Sequence, residues 1–395
     1  MAIIKVLVRL SRKEYFWVTV LTLFVLAMHF SIIYYPDAVV TDEYYYVNDA
    51  RHTLNGEIQF RAEHPPLGQL FIITGMRVFG DNPLGWRFFS VIMGSAGIFL
   101  LYLICQQLAL SRRAAFLAGV LLALENLTFI QSSLAMLDVF TVCFMLLAFW
   151  LYLRGDYPLA AVAGSFSVLT KLSGVLLFLA IGLHWLIMRR DRWRLFVLSM
   201  ALAPLLFLTL LPIFNLTLTG LPLDPLKRIH NMLTLSGSLT FDISIHPWAS
   251  RPWEWLISLK TMDYDLPHHY QGVISPTLWA LIIPTVGYMA YLMKKHSPAA
   301  MFGVLWFAST YLVWLPLELI TNRITYIYYF YPAVGAVCIG LAIGLGKLLE
   351  LGQTRSKLRL AAVSIFCLYL VLHAVVFVLL TPVFSRWFPA WPRLL

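Results

Sequence analysis

Hydrophobic residues form long runs along the whole chain, and short polar or basic stretches separate these runs. A straight helix needs about 20 predominantly apolar residues to cross a bilayer. The pattern predicts eleven transmembrane helices, of which those between 114 and 188 are the least regular and could be tilted or partly re-entrant. The predicted spans are residues 15–36, 86–109, 114–131, 135–153, 158–170, 173–188, 195–216, 276–293, 299–317, 327–347 and 360–381.

The composition agrees with an all-α polytopic membrane protein that forms a single domain over residues 1–395. Hydrophobic residues make up 60% of the chain and charged residues 12%, whereas soluble proteins are about 25% charged. A secreted protein with a signal peptide is excluded, because the apolar runs recur up to the C-terminus. The 4 cysteines lie in apolar runs without metal-binding spacing, so neither a disulfide framework nor a zinc site is predicted.

The net charge of +10 could by itself indicate nucleic-acid binding. The basic residues, however, cluster in short stretches between alternate apolar runs, which is typical of cytoplasmic loops. We therefore predict a cytoplasmic N-terminus, membrane lipids as surroundings and no nucleic-acid partner. The stretches assigned to the cytoplasm contain Lys5, Arg9, Arg12 and Lys13, Arg112 and Arg113, Arg154, the run 189–194, Lys294 and Lys295, and the segment 347–359.

This orientation leaves two long segments on the outer side, residues 37–85 and 217–275. Loops of such length usually are functional or contain structure of their own. We expect two interfacial helices in the first loop, near Tyr44–Leu54 and near Leu67–Phe79. The second loop contains several prolines, which predicts an irregular course with short helices.

The first outer loop carries the most suggestive polar residues, Asp42, Glu43 and His64. Adjacent carboxylates raise each other's proton affinity, so one of the pair could act as a base near neutral pH. Pro65 restricts His64 to an extended backbone, which fixes the direction of a side chain that could orient a substrate or bind a phosphate oxygen. The alternatives are a solvated carboxylate pair and a histidine in a stiff turn.

Three cations lie at the outer ends of predicted spans, namely Arg87, Lys171 and Arg323. Their position opposes the usual distribution of basic residues, so each requires a partner, and an anionic ligand is suited to that role. For Arg87 the commoner alternative is a side chain that extends to the membrane interface. A lipid-linked phosphate would bring the required negative charge.

Glu125 and Asp138 flank the turn between the third and fourth predicted spans. A bare carboxylate within an apolar run is costly. The two residues therefore either contact a substrate or serve as a helix cap or a buried ion pair. The chain contains no Walker A and no HExxH motif, and His268-His269 does not fit a standard metal site, so we predict neither a metal nor another cofactor.

Several of these residues fall in a pattern that resembles the protein O-mannosyltransferase family of GT-C membrane glycosyltransferases. The family has an Asp-Glu pair followed by His-Pro-Pro-Leu-Gly, which is similar to residues 42–43 and 64–68 here. Weaker similarity follows in the same order, and the whole resemblance extends from about residue 37 to 345. The weaker segments are Glu125-Asn126, Gln131-Ser132, Leu137-Asp138, the stretch 246–255 and the stretch 328–333.

The resemblance implies a GT-C fold and an inverting transferase that uses a polyprenyl- or dolichyl-phosphate-mannose donor. By position, Asp42 would be the general base and Glu43 would assist it or bind the acceptor. Lys171 would bind the donor phosphate, and Arg87 matches an arginine that follows the His-Pro-Pro helix. The first outer loop would be catalytic, and the second would lie on the side of the acceptor, a Ser or Thr hydroxyl of a protein.

The chain departs from the family pattern in ways that leave the acceptor open. Gln69 stands where the family usually has lysine, and Ser133 stands where many members have arginine. The second outer loop is too short for the β-trefoil insert of eukaryotic members. A related GT-C enzyme that modifies a lipid, a cell-wall polymer or an N-glycan is therefore the first alternative. A transporter or flippase is less favoured, because the charges lie at the ends of spans rather than along their middles.

Overall fold

The structure is a computed structural model, which describes residues 13–57, 63–221, 223–242, 246–354 and 356–388. These residues fold into a helical bundle with a single β-hairpin. The helices are α1 (Phe16–Ile32), α2 (Thr41–Leu54), α3 (Leu67–Phe79), α4 (Pro83–Gln107), α5 (Arg112–Ala123), α6 (Asn126–Ser133), α7 (Leu137–Arg154), α8 (Tyr157–Thr170), α9 (Leu176–His184), α10 (Trp193–Thr219), α11 (Pro225–Ser238), α12 (Glu254–Ile257), α13 (Pro276–Trp279), α14 (Ile282–Lys294), α15 (Pro298–Phe307), α16 (Trp314–Thr321), α17 (Tyr331–Thr354), α18 (Ser356–Leu380) and α19 (Pro382–Ser385).

Short non-α segments interrupt the long apolar helices. The turns Leu172–Val175 and Ile327–Phe330 are 3-10 helical, and both lead directly into helices. Trp185–Arg189 and Ala308–Leu312 are π-helical extensions of α9 and α15. Such irregular turns are frequent at functional sites, and the two 3-10 turns carry residues of the cavity described below.

Local sequence signals explain where several helices begin. The side chain of Asn82 accepts hydrogen bonds from the backbone N–H groups of Leu84 and Gly85, and proline occupies the first position of α4. Asp224 caps α11 in the same way, again before a proline. These residues satisfy backbone donors that a helix start leaves without partners, and proline has no N–H to satisfy.

The prediction of eleven spans is not confirmed, although the chain is an integral membrane protein with several spans. Within the described residues, 7 helical segments are long and apolar enough to cross a bilayer, and α5 with α6, bent by 61°, would make 8. The other predicted spans are helices that are too short, among them α1 with 17 residues, α8 with 14 and α14 with 13. Apolar runs reveal helices, but a short helix can pack between its neighbours without crossing the membrane.

The bundle is built around α7, which is apolar on all sides and almost entirely buried. A helix with this pattern belongs in the interior, and α7 packs against α4, α8 and α9. By contrast, only 22% of the apolar 18-residue stretch in each of α10 and α18 is buried within the protein. These two helices therefore present the apolar surface expected for contact with lipid.

Both helices predicted within residues 37–85 are present as α2 and α3, and their position at the membrane interface stays a prediction. In the second loop α11 and α12 agree with the expected short helices. The antiparallel hairpin of β1 (Thr261–Asp265) and β2 (Tyr270–Val273) was not predicted. The N-terminal basic residues Lys5, Arg9 and Arg12, on which the predicted orientation depends, lie outside the described residues.

Helix α3 approaches α4 so closely that only glycine fits at the contact. A Cβ atom added at Gly75 would lie 2.1 Å from the carbonyl oxygen of Gly85. In α14, by contrast, a Cβ at Gly287 would meet no atom within 4 Å. The first outer loop is thus fixed to the bundle by backbone packing.

We expect Gly75→Ala to lower the free energy of unfolding by about 1–3 kcal/mol, because the methyl group forces α3 away from α4. The matched control, Gly287→Ala, should be neutral or stabilise the helix by up to about 1 kcal/mol. Thermal unfolding of the detergent-solubilised protein measures both. Equal melting temperatures for the two variants would contradict the close packing.

Candidate active site

A cavity lies between the first outer loop, α11 and the ends of α7, α8 and α16. It consists of two adjacent chambers of about 230 and 330 Å³. Charged and polar side chains line both chambers and so form their common wall. The shared residues are Glu63, His64, Lys171, Ser236, Arg323 and Tyr329.

The smaller chamber is mainly apolar beyond this common wall. An apolar groove of about 540 Å³ lies beside it, between α8, α9, α10 and α11, and shares Leu172, Val175 and Leu233 with it. The chamber and the groove together form an apolar path that leads to the charged wall. The chamber's further lining includes Met145, Leu176, Trp314 and Leu317.

The larger chamber is polar and rich in tyrosine. Asp42 lines it, at the start of α2. The tyrosines come from two distant parts of the chain, α2 and the 3-10 turn before α17. Besides Asp42 and the common wall, the chamber is lined by Tyr45, Tyr46, Leu235, Ser238, Leu239, Ile324, Tyr326 and Tyr328.

Glu43 does not accompany Asp42 into the cavity. Its carboxylate is fully buried and accepts hydrogen bonds from Arg87 Nε at 2.8 Å and Arg87 Nη2 at 2.7 Å. It also accepts from the backbone N–H groups of Ala135 at 2.9 Å and Val40 at 3.3 Å. Four donors thus occupy its two oxygens.

Arg87 is equally enclosed, with 0% of its side chain exposed. Its remaining N–H groups donate to the backbone carbonyls of Ile33, Pro36 and Ala38, at 2.8–3.0 Å. The structure therefore corrects two expectations: neither Glu43 nor Arg87 lines either chamber. A buried ion pair with all its hydrogen bonds made serves to position α2, and with it Asp42, rather than to contact substrate.

Lys171 of the common wall forms an ion pair with Asp138, which the sequence places in a different turn and which lines only the smaller chamber. Lys171 Nζ lies 2.8 Å from both carboxylate oxygens of Asp138. The ammonium also lies 5.1 Å from the ring centre of Tyr328 and 5.2 Å from that of Tyr329. Asp138 therefore balances the charge of Lys171 and holds it at the junction of the chambers.

Arg323 lies in a segment that pairs with the second outer loop through an isolated bridge to Thr240. Its Nη2 donates to the hydroxyl of Tyr329 at 3.3 Å. Its Nε is shielded from solvent and has no hydrogen-bond partner among the described residues. An N–H group left in this state beside a cavity is suited to an anionic ligand.

His64 is held in place from the second outer loop. Arg228 in α11 donates to its backbone carbonyl at 2.8 Å, and its ring lies 6.0 Å from that of Tyr46. Ser236 donates to the carbonyl of Glu63 at 3.4 Å. Burial lowers the pKa of Arg228 to about 10, against the opposing effect of Glu63, so the guanidinium stays charged at neutral pH.

Glu125 has a structural position and lines neither chamber. Its carboxylate caps α6 by accepting from the backbone N–H groups of Leu127 and Thr128, and it also accepts from that of Ser275 at 3.0 Å. Of the two predicted explanations for Glu125, substrate contact and helix cap, the structure shows the cap. Asp138, by contrast, is the buried ion-pair partner of Lys171 and also lines the apolar chamber.

Burial favours the neutral phenol form of two tyrosines near Asp42, Tyr46 and Tyr264. Burial raises the pKa of Tyr46 well above its ordinary value of 10.0, and the charge of Asp42 raises it further. The same two causes raise the pKa of Tyr264. Within the described ranges, no three His, Cys, Asp or Glu side chains are grouped so as to hold a metal ion.

Comparison with known proteins shows what this chain is similar to. A model described as dolichyl-phosphate-mannose-protein mannosyltransferase matches residues 63–217. The polyprenol-phosphate-mannose–protein mannosyltransferase of Corynebacterium glutamicum is 24% identical over an alignment 437 positions long, which covers 83% of this chain and 81% of that protein. The chain is a glycosyltransferase similar in sequence to these protein mannosyltransferases.

Solved structures of GT-C enzymes share its fold. A chain of the Saccharomyces cerevisiae protein O-mannosyltransferase Pmt1-Pmt2 complex, bound to the sugar donor, superposes with a TM-score of 0.77 at 11% identity, covering 94% of this chain and 90% of the yeast chain. ArnT from Cupriavidus metallidurans bound to undecaprenyl phosphate gives 0.54 at 19% identity, covering 94% and 72%. The GT-C fold expected from the sequence is therefore confirmed.

The structure brings together five of the predicted site residues and separates the other three. Asp42, His64, Asp138, Lys171 and Arg323 line the cavity, whereas Glu43, Arg87 and Glu125 do not. Sequence reasoning missed the tyrosines of both chambers. Their clustering at 44–46 and 326–331 was a visible signal, but tyrosine is also common at membrane interfaces.

The Glu43→Gln variant should lose about 3–5 kcal/mol of unfolding free energy, because it leaves the Arg87 guanidinium buried without its counter-charge. The matched control is Glu350→Gln, which removes an exposed pair with Lys347 and should not change stability measurably. Chemical denaturation in detergent, followed by tryptophan fluorescence, compares them. A Glu43→Gln protein as stable as the control would contradict the positioning role.

Proposed function

We propose that this glycosyltransferase moves mannose from a polyprenyl-phosphate-mannose donor to Ser or Thr hydroxyls of proteins. The similarity to named polyprenol-phosphate-mannose–protein mannosyltransferases supports the donor and the acceptor. The observation that carries the proposal is the cavity itself. It joins an apolar path, a wall of cations and a chamber with a carboxylate, in the order that such a reaction requires.

The donor would lie across the common wall. Its polyprenyl chain fits the apolar chamber and groove, where burial of each CH₂ group is favourable by about 0.8 kcal/mol. Its phosphate would meet Lys171 and the free Nε of Arg323, with His64 beside them. Its sugar would then enter the polar chamber, where Asp42 is located.

Asp42 would act as the general base in this arrangement. The acceptor oxygen attacks the anomeric carbon of the sugar and gives its proton to the Asp42 carboxylate. The bond between that carbon and the phosphate oxygen breaks, and polyprenyl phosphate leaves with the electron pair. Attack opposite the leaving group inverts the anomeric configuration.

The leaving phosphate gains negative charge during this step, and the cations of the wall would stabilise it. Fixed charges aimed at developing charge are an effective form of catalysis. We therefore propose a reaction that needs no metal. Chelation with EDTA tests this directly, since transfer should continue at an undiminished rate.

The polar chamber is proposed to receive the acceptor, with α11 and the second outer loop as its cover. Tyrosine rings suit both a peptide and a sugar, so a glycan, a lipid or a cell-wall polymer is the alternative acceptor. We place the site on the extracytoplasmic face, because the residues predicted on that side converge on one cavity.

The Asp42→Asn variant should lose transfer by a factor of about 10²–10⁴, the usual contribution of a general base, and should still bind donor. The assay measures radiolabelled mannose moved from synthetic polyprenyl-phosphate-mannose to a Ser/Thr-rich peptide or to a total membrane lipid extract. Asp156→Asn, at the N-terminus of α8 and outside the cavity, is the control and should keep full activity.

Label on the peptide that disappears in Asp42→Asn would support the proposal. Label only on lipid would show that the acceptor is a lipid rather than a protein. Normal turnover by Asp42→Asn would refute the role of this residue.

Removing the charge of Lys171 should weaken binding of polyprenyl phosphate by about ten- to a hundredfold, the value of a charge-assisted hydrogen bond. Because Lys171→Ala leaves Asp138 buried and unpaired, the double variant Lys171→Met with Asp138→Asn serves as a second test. Asp138→Asn alone frees the ammonium and should tighten binding. Unchanged affinity in all three variants would contradict the assignment.

A further inference from the structure

We infer that Tyr329 is a positioning residue whose ring and hydroxyl contact both proposed phosphate-binding cations, Lys171 and Arg323. The inference rests on the proposed donor site and names a residue to which no role has been assigned. Tyr329 lines both chambers, so its ring lies at the point where the apolar path meets the polar space.

The ring contacts Lys171, whose Nζ lies 5.2 Å from the ring centre. The neighbouring Tyr328 provides a second ring at 5.1 Å. An ammonium within about 6 Å of a ring centre is attracted by the negative face of the ring. The two rings therefore complete the surroundings of an ammonium that Asp138 holds from another direction.

The same ring and its hydroxyl also contact Arg323. The guanidinium carbon lies 5.9 Å from the ring centre, and Nη2 donates to the hydroxyl oxygen at 3.3 Å. This contact fixes one edge of the guanidinium. Its Nε, which lacks a hydrogen-bond partner among the described residues, is left for a ligand.

The ring of Tyr329 is itself held firmly. It belongs to the 3-10 turn Ile327–Phe330, is almost fully buried, and packs against Trp314 of α16 with ring centres 4.8 Å apart. The ring centre of the preceding residue, Tyr328, lies 5.0 Å from that of Tyr329. A side chain packed in this way can set the position of two longer and more flexible ones.

This arrangement explains how two like charges can be kept ready at one site. Two cations repel each other, and a site of low polarity strengthens the repulsion. Asp138 balances the charge of Lys171, and the ring of Tyr329 gives each cation a favourable contact. Less rearrangement is then needed when the phosphate binds, which increases affinity.

The test compares binding of undecaprenyl phosphate and of undecaprenol to the purified full chain. Tyr329→Leu removes the ring and should weaken binding of the phosphate about tenfold, as expected for the loss of contacts to two cations. Binding of undecaprenol, which has no phosphate, should stay within about twofold. In transfer assays the variant should raise the KM for donor more than it lowers kcat.

Two further variants distinguish the contribution of the ring to binding from that of the hydroxyl and from a general effect of mutation. Tyr329→Phe keeps the ring and loses only the bond to Arg323, so the affinity for the phosphate should fall by about two- to threefold. Tyr44→Leu makes the same change as Tyr329→Leu at an exposed tyrosine of α2 that lines neither chamber. It should leave both affinities unchanged.

Equal loss of binding for both lipids in Tyr329→Leu would show that the ring only packs, and would overturn the inference. Unchanged binding of the phosphate would also overturn it. If Arg323→Gln weakens binding of the phosphate while Tyr329→Leu does not, the donor site stands and the role of Tyr329 falls. If the wild-type protein binds both lipids equally, the donor site itself is wrong, and the role of Tyr329 falls with it.

Discussion

The buried ion pair between Glu43 and Arg87 is the interaction on which the site depends. It joins α2, α4, the connection between α1 and α2 and the backbone at Ala135, which are otherwise separate parts of the first outer loop and the bundle. Separating such a pair is costly because one charge remains buried without compensation. Asp42 precedes Glu43 directly and is presented to the cavity because its neighbour is fixed.

A second principle governs the cavity: the two cations of its wall are held by contacts on the protein side. Asp138 balances Lys171, and Tyr329 contacts both Lys171 and Arg323. A site organised in this way does not have to rearrange its charges when an anion arrives, and such preorganisation is an effective source of transition-state stabilisation. The charged residues of the cavity therefore come from turns, loops and helix ends that the helical bundle keeps in fixed positions.

The sequence predicted the parts of this architecture that depend on local signals. The interfacial helix Leu67–Phe79 follows from its prolines and apolar pattern, and Asp42, His64, Lys171 and Arg323 follow from charges on one predicted side of the membrane. The pairing of Glu43 with Arg87, 44 residues apart, could not be predicted, because both residues look equally suited to substrate. Whether α8 or α14 crosses the bilayer depends on packing, which apolar content does not reveal.

The most direct test is a structure of the full chain with polyprenyl-phosphate-mannose bound, in the Asp42→Asn variant to prevent turnover. The phosphate should lie between Lys171 and Arg323, the polyprenyl chain in the apolar chamber and groove, and the sugar beside residue 42. A phosphate bound outside this wall, or a sugar out of reach of residue 42, would contradict the proposed arrangement.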